Sequence, residues 1–232
     1  MSLPYFYEPV IHKPILTLSE ESAKHCIQVL RMKEKDALQL TNGKGNLFTT
    51  EILKADKKNC EVKIVNVETC KPLVRTTSIA ISLLKNVSRL EWFLEKATEI
   101  GVQKIIPIIC EHTEKQSFRF ERMNNIIISA MLQSQQTWLP ELLQPKKFSD
   151  FIKEDFEGVK MIAHCANDEK NSIKDFADQV QPILIFIGPE GDFSSDEISL
   201  ALKNNCKPVS LGNTRLRSET AGIVAATLVS IM

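Results

Sequence analysis

From residue 79 onward, short apolar segments alternate with longer segments whose apolar residues recur at helical spacing. The apolar segments are Ile79–Leu84, Lys104–Ile109, Lys160–Cys165, Ile183–Ile187 and Pro208–Leu211. Strands that alternate with helices in this way form a parallel sheet with crossover helices. We therefore predict an α/β fold with a parallel sheet for residues 72–232.

Three of the intervening segments have a clear helical pattern. They are Arg89–Ile100, Asn124–Trp138 and Glu219–Ile231. Ser88 and Ser218 are the expected N-cap residues, and Gly101 is the expected end of the first helix. The last helix is apolar nearly all round, so we expect it to be buried or to lie in a subunit interface.

The first seventy residues have a pattern typical of short strands. Ala37–Thr41 and Leu47–Leu53 flank a loop of hairpin length that contains two glycines. One helical stretch covers residues 19–31. We predict a small β-barrel with one helix for residues 1–71, and a domain boundary near Lys71-Pro72, where a proline and a polar stretch interrupt the pattern.

The composition limits the classes of protein to consider. Hydrophobic residues make up 43% of the chain, which is enough to bury a core. No apolar run reaches the roughly 18 residues of a membrane-spanning helix, and the first residues lack the order of a signal peptide, so we expect a cytoplasmic location without membrane contact. The six cysteines are scattered singly, and we expect no metal site. The 29 basic and 29 acidic residues balance, so overall charge gives no argument for nucleic acid binding.

Two polar loops each follow a predicted strand and precede a predicted helix. The first is Gly188–Asp192 (GPEGD) and the second is Leu211–Ser218 (LGNTRLRS). Ligands of open α/β sheets gather at the carboxyl ends of strands, so the two loops can form opposite walls of one pocket. Gly188 and Gly191 permit backbone angles and close approaches that a Cβ atom would block. Taken alone, the first loop is equally compatible with an ordinary tight connection.

Two arginines occupy alternate positions of the second loop. Arg215 and Arg217 stand just before Glu219 and Thr220, which begin the last helix. Guanidinium groups beside a helix N-terminus can hold RNA phosphate or a developing negative charge. From the spacing alone, a surface ion pair between Arg217 and Glu219 is an equally good interpretation.

The same two loops resemble a known family. GPEGDFSSDE and LGNTRLRSETA are similar to the C-terminal signatures of the SPOUT-class methyltransferases that make 3-methyluridine in small-subunit ribosomal RNA, the RsmE family. Further matching positions are Lys85, Arg89-Leu90-Glu91, Lys96–Val102, the Ala130-x-x-Gln-Ser pattern, and His25 with Val29-Leu30-Arg31. The resemblance covers nearly the whole chain.

The resemblance implies a specific architecture and activity. It implies an N-terminal PUA-like β-barrel that helps to bind RNA and a C-terminal SPOUT (α/β knot) domain with a trefoil knot. It also implies a homodimer, S-adenosylmethionine as the cofactor, and N3 of a uridine in 16S ribosomal RNA of the small subunit as the target. Knots are rare, and the sequence pattern alone does not predict one.

The resemblance also assigns residues by position. The implied cofactor-binding residues are His164, Cys165, Gly188, Pro189, Glu190, Gly191, Leu211, Gly212 and Leu216. The implied RNA contacts are Arg31, Lys85, Arg89 and Arg215. The implied catalytic residues are Arg217, Glu219 and Thr220. We hypothesise that Arg217 stabilises the uracil anion, that Glu219 orients Arg217, and that Thr220 forms a hydrogen bond nearby.

The chain departs from the family pattern at three places. Asp192 stands where the family usually has a second glycine, and His112-Thr113 stands for an Arg-Ser pair. Gln136 replaces a basic residue. The acidic side chain at 192 can contact the ligand or face solvent, and the losses at 112 and 136 weaken the expectation that these positions contact RNA phosphate. Two other functions stay open: a non-catalytic RNA-binding or ribosome-assembly factor, and a SPOUT methyltransferase with a different RNA target.

Overall fold

The computed structural model describes residues 3–72, 75–166, 169–176 and 181–231. The chain forms two compact units, of which the first contains residues 1–72 and 131–139 and the second contains residues 73–130 and 140–232. Among the described residues, no helix combines the length and the apolar character that crossing a bilayer requires.

The first unit is built on a five-stranded mixed sheet. Its elements are β1 (Tyr5–Tyr7), β2 (Ile15–Thr17), α1 (Glu20–Lys24), a π-helix (His25–Val29), β3 (Ala37–Thr41), β4 (Asn46–Lys54) and β5 (Glu61–Thr69). The strand order is β1-β3-β4-β5-β2, with β1 parallel to β3 and the other neighbours antiparallel. Gly43 (φ 70°) and Gly45 (φ 83°) allow the turn between β3 and β4, so the predicted hairpin is confirmed.

The helix of the first unit is shorter than predicted. Helix α1 ends at Lys24, and the chain continues as a single π-helical turn in which the Leu30 amide donates to the His25 carbonyl. Arg31 then adopts φ 56°, which ends helical geometry. The π-turn keeps Cys26 fully buried in the core of the unit.

The second unit contains a parallel sheet with helices between the strands. Its elements are β6 (Thr77–Ser82), α2 (Val87–Ile100), β7 (Lys104–Ile109), α3 (Phe120–Gln133, whose last turn joins the first unit), β8 (Glu141–Leu142), β9 (Lys146–Lys147), α4 (Phe148–Phe151), β10 (Val159–Ala163), β11 (Asn171–Ser172), a 3-10 turn (Ile173–Phe176), β12 (Ile183–Ile187), α5 (Ser195–Lys203), β13 (Lys207–Ser210) and α6 (Ser218–Ser230). The order is β11-β13-β10-β12-β6-β7-β8, and β9 also pairs with β7. Every pairing is parallel, which confirms the predicted α/β fold.

Successive side chains of the buried strands point to opposite faces of the sheet, so the core of the second unit has two layers. On one face, Phe186 and its neighbours pack against Phe148 of α4 and Ile198 of α5. On the other face, α6 packs against α2, β6 and β12. Strands that are covered on both faces are apolar at nearly every position, as β12 is with five buried residues.

The N-caps of α2 and α6 differ from the prediction. The N-cap of α2 is Asn86, whose side chain accepts from the Ser88 amide, so the assignment of Ser88 as the cap was wrong. Gly101, at φ 95°, ends α2 as predicted. Arg217, and not Ser218, holds the N-cap position of α6.

The helix predicted over Asn124–Trp138 does not extend to Trp138, because α3 ends at Gln133. Gln135 adopts φ 54°, and residues 131–139 pack with the first unit instead. There Tyr5 donates to the Gln136 carbonyl (2.8 Å) and the Trp138 indole donates to the Cys70 carbonyl (3.2 Å). The Trp138 ring lies so close to Gly45 that no side chain could replace the glycine.

Candidate functional site

Three loops meet at the carboxyl edge of the second unit's sheet. Strand β10 lies between β13 and β12, and all three run in the same direction. The loop that begins with His164 and Cys165 therefore lies between the loop 188–192 and the loop 211–218. Strands β12 and β13 follow each other in the sequence, but β10 lies between them in the sheet. The two loops that the sequence singles out therefore do not follow adjacent strands.

Two adjoining cavities open at this edge. The first has a volume of about 340 Å³ and lies mainly against the loop after β13. Its lining residues include His164, Cys165, Lys170, Leu211, Gly212, Asn213, Arg215 and Leu216. The second has a volume of about 410 Å³ and lies against both loops. Its lining residues include Arg89, Cys165, Gly188, Pro189, Glu190, Asp192, Arg215, Leu216, Arg217 and Ser218.

The two cavities share part of their walls. Ala163, Cys165, Arg215, Leu216 and Ala221 line both. Ala163, Leu216 and Ala221 form the apolar part of the shared wall, whereas Arg215 is exposed to solvent. The arrangement can hold one ligand of small-molecule size with an apolar and a polar part, since binding cavities of roughly 300–1,000 Å³ are usual for such ligands.

The glycines of the first loop lie in close packing and not at unusual backbone angles. A Cβ atom on Gly188 would lie 3.1 Å from the Phe193 ring, and one on Gly191 would lie 3.1 Å from Cβ of His112. Neither glycine has positive φ, whereas Gly212 in the second loop has φ 143° and no atom within 4 Å of its Cβ position. Gly212 therefore serves the backbone path and leaves the cavity wall open.

Asp192 holds the left-handed position of the first loop, with φ 65°. Its carboxylate accepts from the Cys165 amide (2.7 Å) and from the Phe193 amide (2.9 Å). Its carbonyl lies 3.0 Å from Nδ1 of His112, and this hydrogen bond raises the pKa of the exposed imidazole. The residue that departs from the family pattern thus connects the loops after β7, β10 and β12.

Charged groups surround the larger cavity. Glu219 is buried, and its Oε1 lies 3.7 Å from Nε of Arg89. Its Oε2 accepts no hydrogen bond from any residue in the described part of the chain. Glu190 accepts from the Lys85 amide (3.1 Å). The Lys85 ammonium pairs with Glu114 at 2.7 Å, and this hydrogen bond raises the lysine's pKa.

Most of the predicted site residues lie around the cavities, but five do not line them. Gly191 of the first loop packs against His112, Glu219 and Thr220 lie in the first turn of α6, and the Lys85 amide donates to Glu190. Arg31 is an exposed residue of the first unit. The ion pair observed for Glu219 is with Arg89, not with Arg217 as the sequence suggested.

Sequence reasoning missed several lining residues. Asn213, Ser218 and Ala221 lie within the LGNTRLRSETA segment but were not assigned to the site, and Lys170 belongs to no motif. The three residues of that segment could have been found from the rule that ligands lie at strand ends and helix N-termini. Lys170 lies in the connection between β10 and β11, and no spacing in the sequence points to it.

The two other departures have structural explanations. Thr113 accepts from the Cys110 amide (2.8 Å) and lies 2.8 Å from the Ser82 hydroxyl, so it fixes the loop after β7. Gln136 belongs to the segment that packs with the first unit. Within the described ranges, no group of three or more His, Cys, Asp or Glu side chains is placed to hold a metal ion. Burial raises the pKa of Cys110 and raises that of Cys206 to about 12, which makes both thiols unreactive.

Comparisons with known proteins assign the family. Residues 71–230 match the model of an RNA methyltransferase domain, and residues 18–65 match that of an RNA methyltransferase PUA domain. The ribosomal RNA small subunit methyltransferase E of Rickettsia conorii is 31% identical over 222 residues, which cover 94% of this chain and 90% of that protein. The chain belongs to the ribosomal RNA small subunit methyltransferase E family.

Solved structures agree with membership of the methyltransferase E family. A probable rRNA-methyltransferase of Porphyromonas gingivalis superposes with a TM-score of 0.92 at 39% identity, covering 98% of this chain and 97% of that one. The ribosomal RNA small subunit methyltransferase E of Neisseria gonorrhoeae, solved bound to S-adenosyl methionine, superposes with a TM-score of 0.88 at 26% identity, covering 97% and 96% of the two chains. The N-terminal β-domain and the parallel sheet are therefore those of methyltransferase E proteins.

Proposed function

We propose that this chain transfers a methyl group from S-adenosylmethionine to N3 of a specific uridine in 16S ribosomal RNA of the small subunit. Its family membership and the names of its relatives support an enzyme that acts on this RNA. The observation that carries the proposal is the convergence of the loops after β12 and β13 on the end of β10, with Arg215 and Arg217 exposed beside the cavities.

The cavities fit the proposed cofactor. Apolar side chains such as Leu211 and Leu216 suit a flat ring, and the open position at Gly212 leaves room against the backbone. Glu190 lines the larger cavity and would supply a negative charge to a cationic cofactor. We propose as cofactor-binding residues His164, Cys165, Gly188, Pro189, Glu190, Leu211, Gly212 and Leu216, with Gly191 supporting the loop from behind.

The chemistry requires stabilisation of an anion. Bound S-adenosylmethionine supplies a methyl group activated by its sulfonium charge. N3 of uridine is an imide nitrogen that must lose its proton, and the negative charge then spreads over the two neighbouring carbonyl oxygens. In this proposal Arg217, at the N-terminus of α6, stabilises that charge, because its guanidinium and the N-terminal end of the helix dipole are both positive. Thr220 forms a hydrogen bond nearby in this proposal.

We propose that Glu219 acts through Arg89 and not, as the sequence suggested, through Arg217. Its buried carboxylate lies against Arg89, and Arg89 lines the larger cavity. We therefore assign Glu219 the role of orienting Arg89 toward the RNA. Arg31, Lys85 and Arg215 complete the proposed contacts to RNA phosphate, since each is a basic residue with solvent exposure.

Residues 1–71 form the RNA-binding domain and residues 72–232 the methyltransferase domain in this proposal. The compact units and the matched family models support the division, although residues 131–139 pack with the first unit. The proposal includes a trefoil knot in the second domain, a homodimer joined through α6, and a cytoplasmic location. The half-buried Val224 and Leu228 on α6, and the exposed Ile231 that follows it, support the dimer.

Mass spectrometry of ribosomal RNA from a strain that lacks this chain tests the function. We expect one 3-methyluridine to disappear from 16S ribosomal RNA and to return when the wild-type chain is expressed. Unchanged 3-methyluridine contradicts the proposal. Calorimetry of S-adenosylmethionine binding to the purified chain then shows whether a negative result means that the cofactor does not bind or that the RNA target is a different one.

A further inference from the structure

Both carboxylate oxygens of Asp192 are occupied by backbone amides. Oδ2 accepts from the Cys165 amide at 2.7 Å, and Oδ1 accepts from the Phe193 amide at 2.9 Å. The first amide belongs to the loop after β10, and the second belongs to the loop after β12. A charged acceptor makes both hydrogen bonds stronger than neutral ones, so Asp192 connects the two loops firmly.

The connected residues form walls of the site itself. Cys165 lines both cavities, and Asp192 lines the larger one beside Gly188 and Glu190. The loop after β10 and the loop after β12 therefore both form walls of the larger cavity. The hydrogen bond from the Cys165 amide to the Asp192 carboxylate thus holds two walls of the site together in the absence of ligand.

The backbone at Asp192 does not itself require a carboxylate. The residue closes a turn in which its amide donates to the Pro189 carbonyl (3.0 Å), and its φ of 65° is one that glycine and asparagine adopt readily. A glycine here would keep the turn and lose only the side-chain bonds. What aspartate adds is the connection to Cys165.

We infer that Asp192 is a positioning residue that holds the donor site in its binding-competent shape before the methyl donor arrives. The inference rests on the proposed function, because it assigns S-adenosylmethionine to these cavities. Preorganisation of this kind raises affinity, because the ligand does not have to order the loops when it binds. It predicts that loss of the carboxylate weakens donor binding without changing the chemical step.

The test compares Asp192→Gly and Asp192→Asn with the wild-type chain. Calorimetry with S-adenosylmethionine measures the dissociation constant, and hydrogen exchange of the peptide that contains Cys165 reports on the amide in the free protein. We expect Asp192→Gly to raise the dissociation constant about tenfold and to speed exchange at Cys165. Asp192→Asn keeps one acceptor oxygen, so we expect an intermediate value for both.

Kinetics distinguish positioning from a general structural effect. With small-subunit RNA as substrate, Asp192→Gly is expected to raise KM for S-adenosylmethionine about tenfold and to leave kcat within about twofold. Wild-type affinity and unchanged exchange in Asp192→Gly would overturn the inference and leave the proposed function intact. If the wild-type chain itself binds no S-adenosylmethionine, the proposed function fails and the inference fails with it.

Discussion

Arg89 and Arg217 both line the larger cavity, but their surroundings differ. Arg89 lies beside the buried carboxylate of Glu219, and its side chain is 35% exposed. Arg217 is exposed at the N-cap of α6, where within the described residues its side chain makes no capping hydrogen bond. Arg217 therefore has freedom to contact a substrate, whereas Arg89 is held by the protein.

Replacement of Arg217 should affect the reaction more than the fold. We expect Arg217→Ala to lower kcat by about 10²–10³-fold, because one positively charged donor to the uracil anion is lost. Affinity for S-adenosylmethionine should stay within about twofold. Single-turnover methylation of small-subunit RNA measures the first quantity, and calorimetry measures the second.

Arg119→Ala is the matched control for Arg217→Ala. Arg119 is also an exposed arginine of the second unit, and it precedes α3 without lining either cavity. We expect this variant to react at close to the wild-type rate. An unimpaired Arg217→Ala would contradict the assigned role.

Arg89 and Glu219 should be coupled energetically. Arg89→Ala leaves the Glu219 carboxylate, whose side chain is 10% exposed, without its cation. We expect a loss of about 1–3 kcal/mol in the free energy of unfolding. Adding Glu219→Gln removes the buried charge, so the double variant should be more stable than the sum of the single losses predicts. Urea denaturation of the four proteins of the cycle measures the coupling.

A surface pair provides the comparison. Lys104 and Glu141 lie 2.9 Å apart, but their side chains are 38% and 59% exposed. Their coupling should be below about 1 kcal/mol, because solvent screens the pair. Equal coupling in the two pairs would show that burial of Glu219 does not matter.

At the scale of elements, the apolar pattern was a reliable guide and the helix ends were not. β7 and β12 have the predicted bounds, because an apolar run of strand length between polar residues leaves little choice of where the strand begins and ends. The cap of α2 was misassigned because Asn86 and Ser88 are both good N-cap residues, and the sequence does not show which of them leaves helical geometry.

The end of α3 and the order of the strands depend on contacts that are distant in sequence. Residues 134–138 continue a plausible helical pattern, but hydrogen bonds to Tyr5 and Cys70 hold them outside the helix. The placement of β10 between β12 and β13 is likewise a property of the whole sheet. For the candidate site, the motifs predicted the loops, whereas the Arg89–Glu219 ion pair and the Asp192–Cys165 hydrogen bond depend on the three-dimensional fold.

The contact between α2 and α6 depends on a glycine. A Cβ atom on Gly222 would lie 2.5 Å from the Phe93 ring and 3.4 Å from the Ile81 side chain. Gly222→Ala would normally stabilise a helix by about 1 kcal/mol. Here we expect that gain to be cancelled and a net loss of up to about 2 kcal/mol, because overpacking costs about 1–3 kcal/mol.

Urea denaturation of Gly222→Ala measures this loss. Phe93→Leu combined with Gly222→Ala makes room for the methyl group, and the double variant should be more stable than the sum of its parts predicts. A rise in stability of the single variant would mean that α6 moves away from α2 without penalty.

At the scale of the whole molecule, α6 has one face that its own chain does not fully cover. Gly222, Ala225, Ala226 and Val229 are buried, whereas Val224 is half-buried, and Thr227 and Ile231 are exposed on another side. The proposed dimer would cover this side. We expect light scattering of the wild-type chain to give about twice its mass of 26.2 kDa.

Val224→Glu should convert the dimer to a monomer, because a carboxylate would be buried without a partner at the interface. Leu202→Glu is the control, since Leu202 is a 45% exposed residue of α5. This control should remain dimeric in the same light-scattering experiment. A wild-type monomer would contradict the proposed dimer.

Residues 131–139 give the first unit a discontinuous sequence, and this affects how it can form during synthesis. The ring of Trp138 and the carbonyl of Gln136 complete contacts with residues near the N-terminus. Translation proceeds from the N-terminus, so those contacts are absent until residue 139 has left the ribosome. By then residues 73–130 have already emerged, and the first unit reaches its final packing only after part of the second has been made.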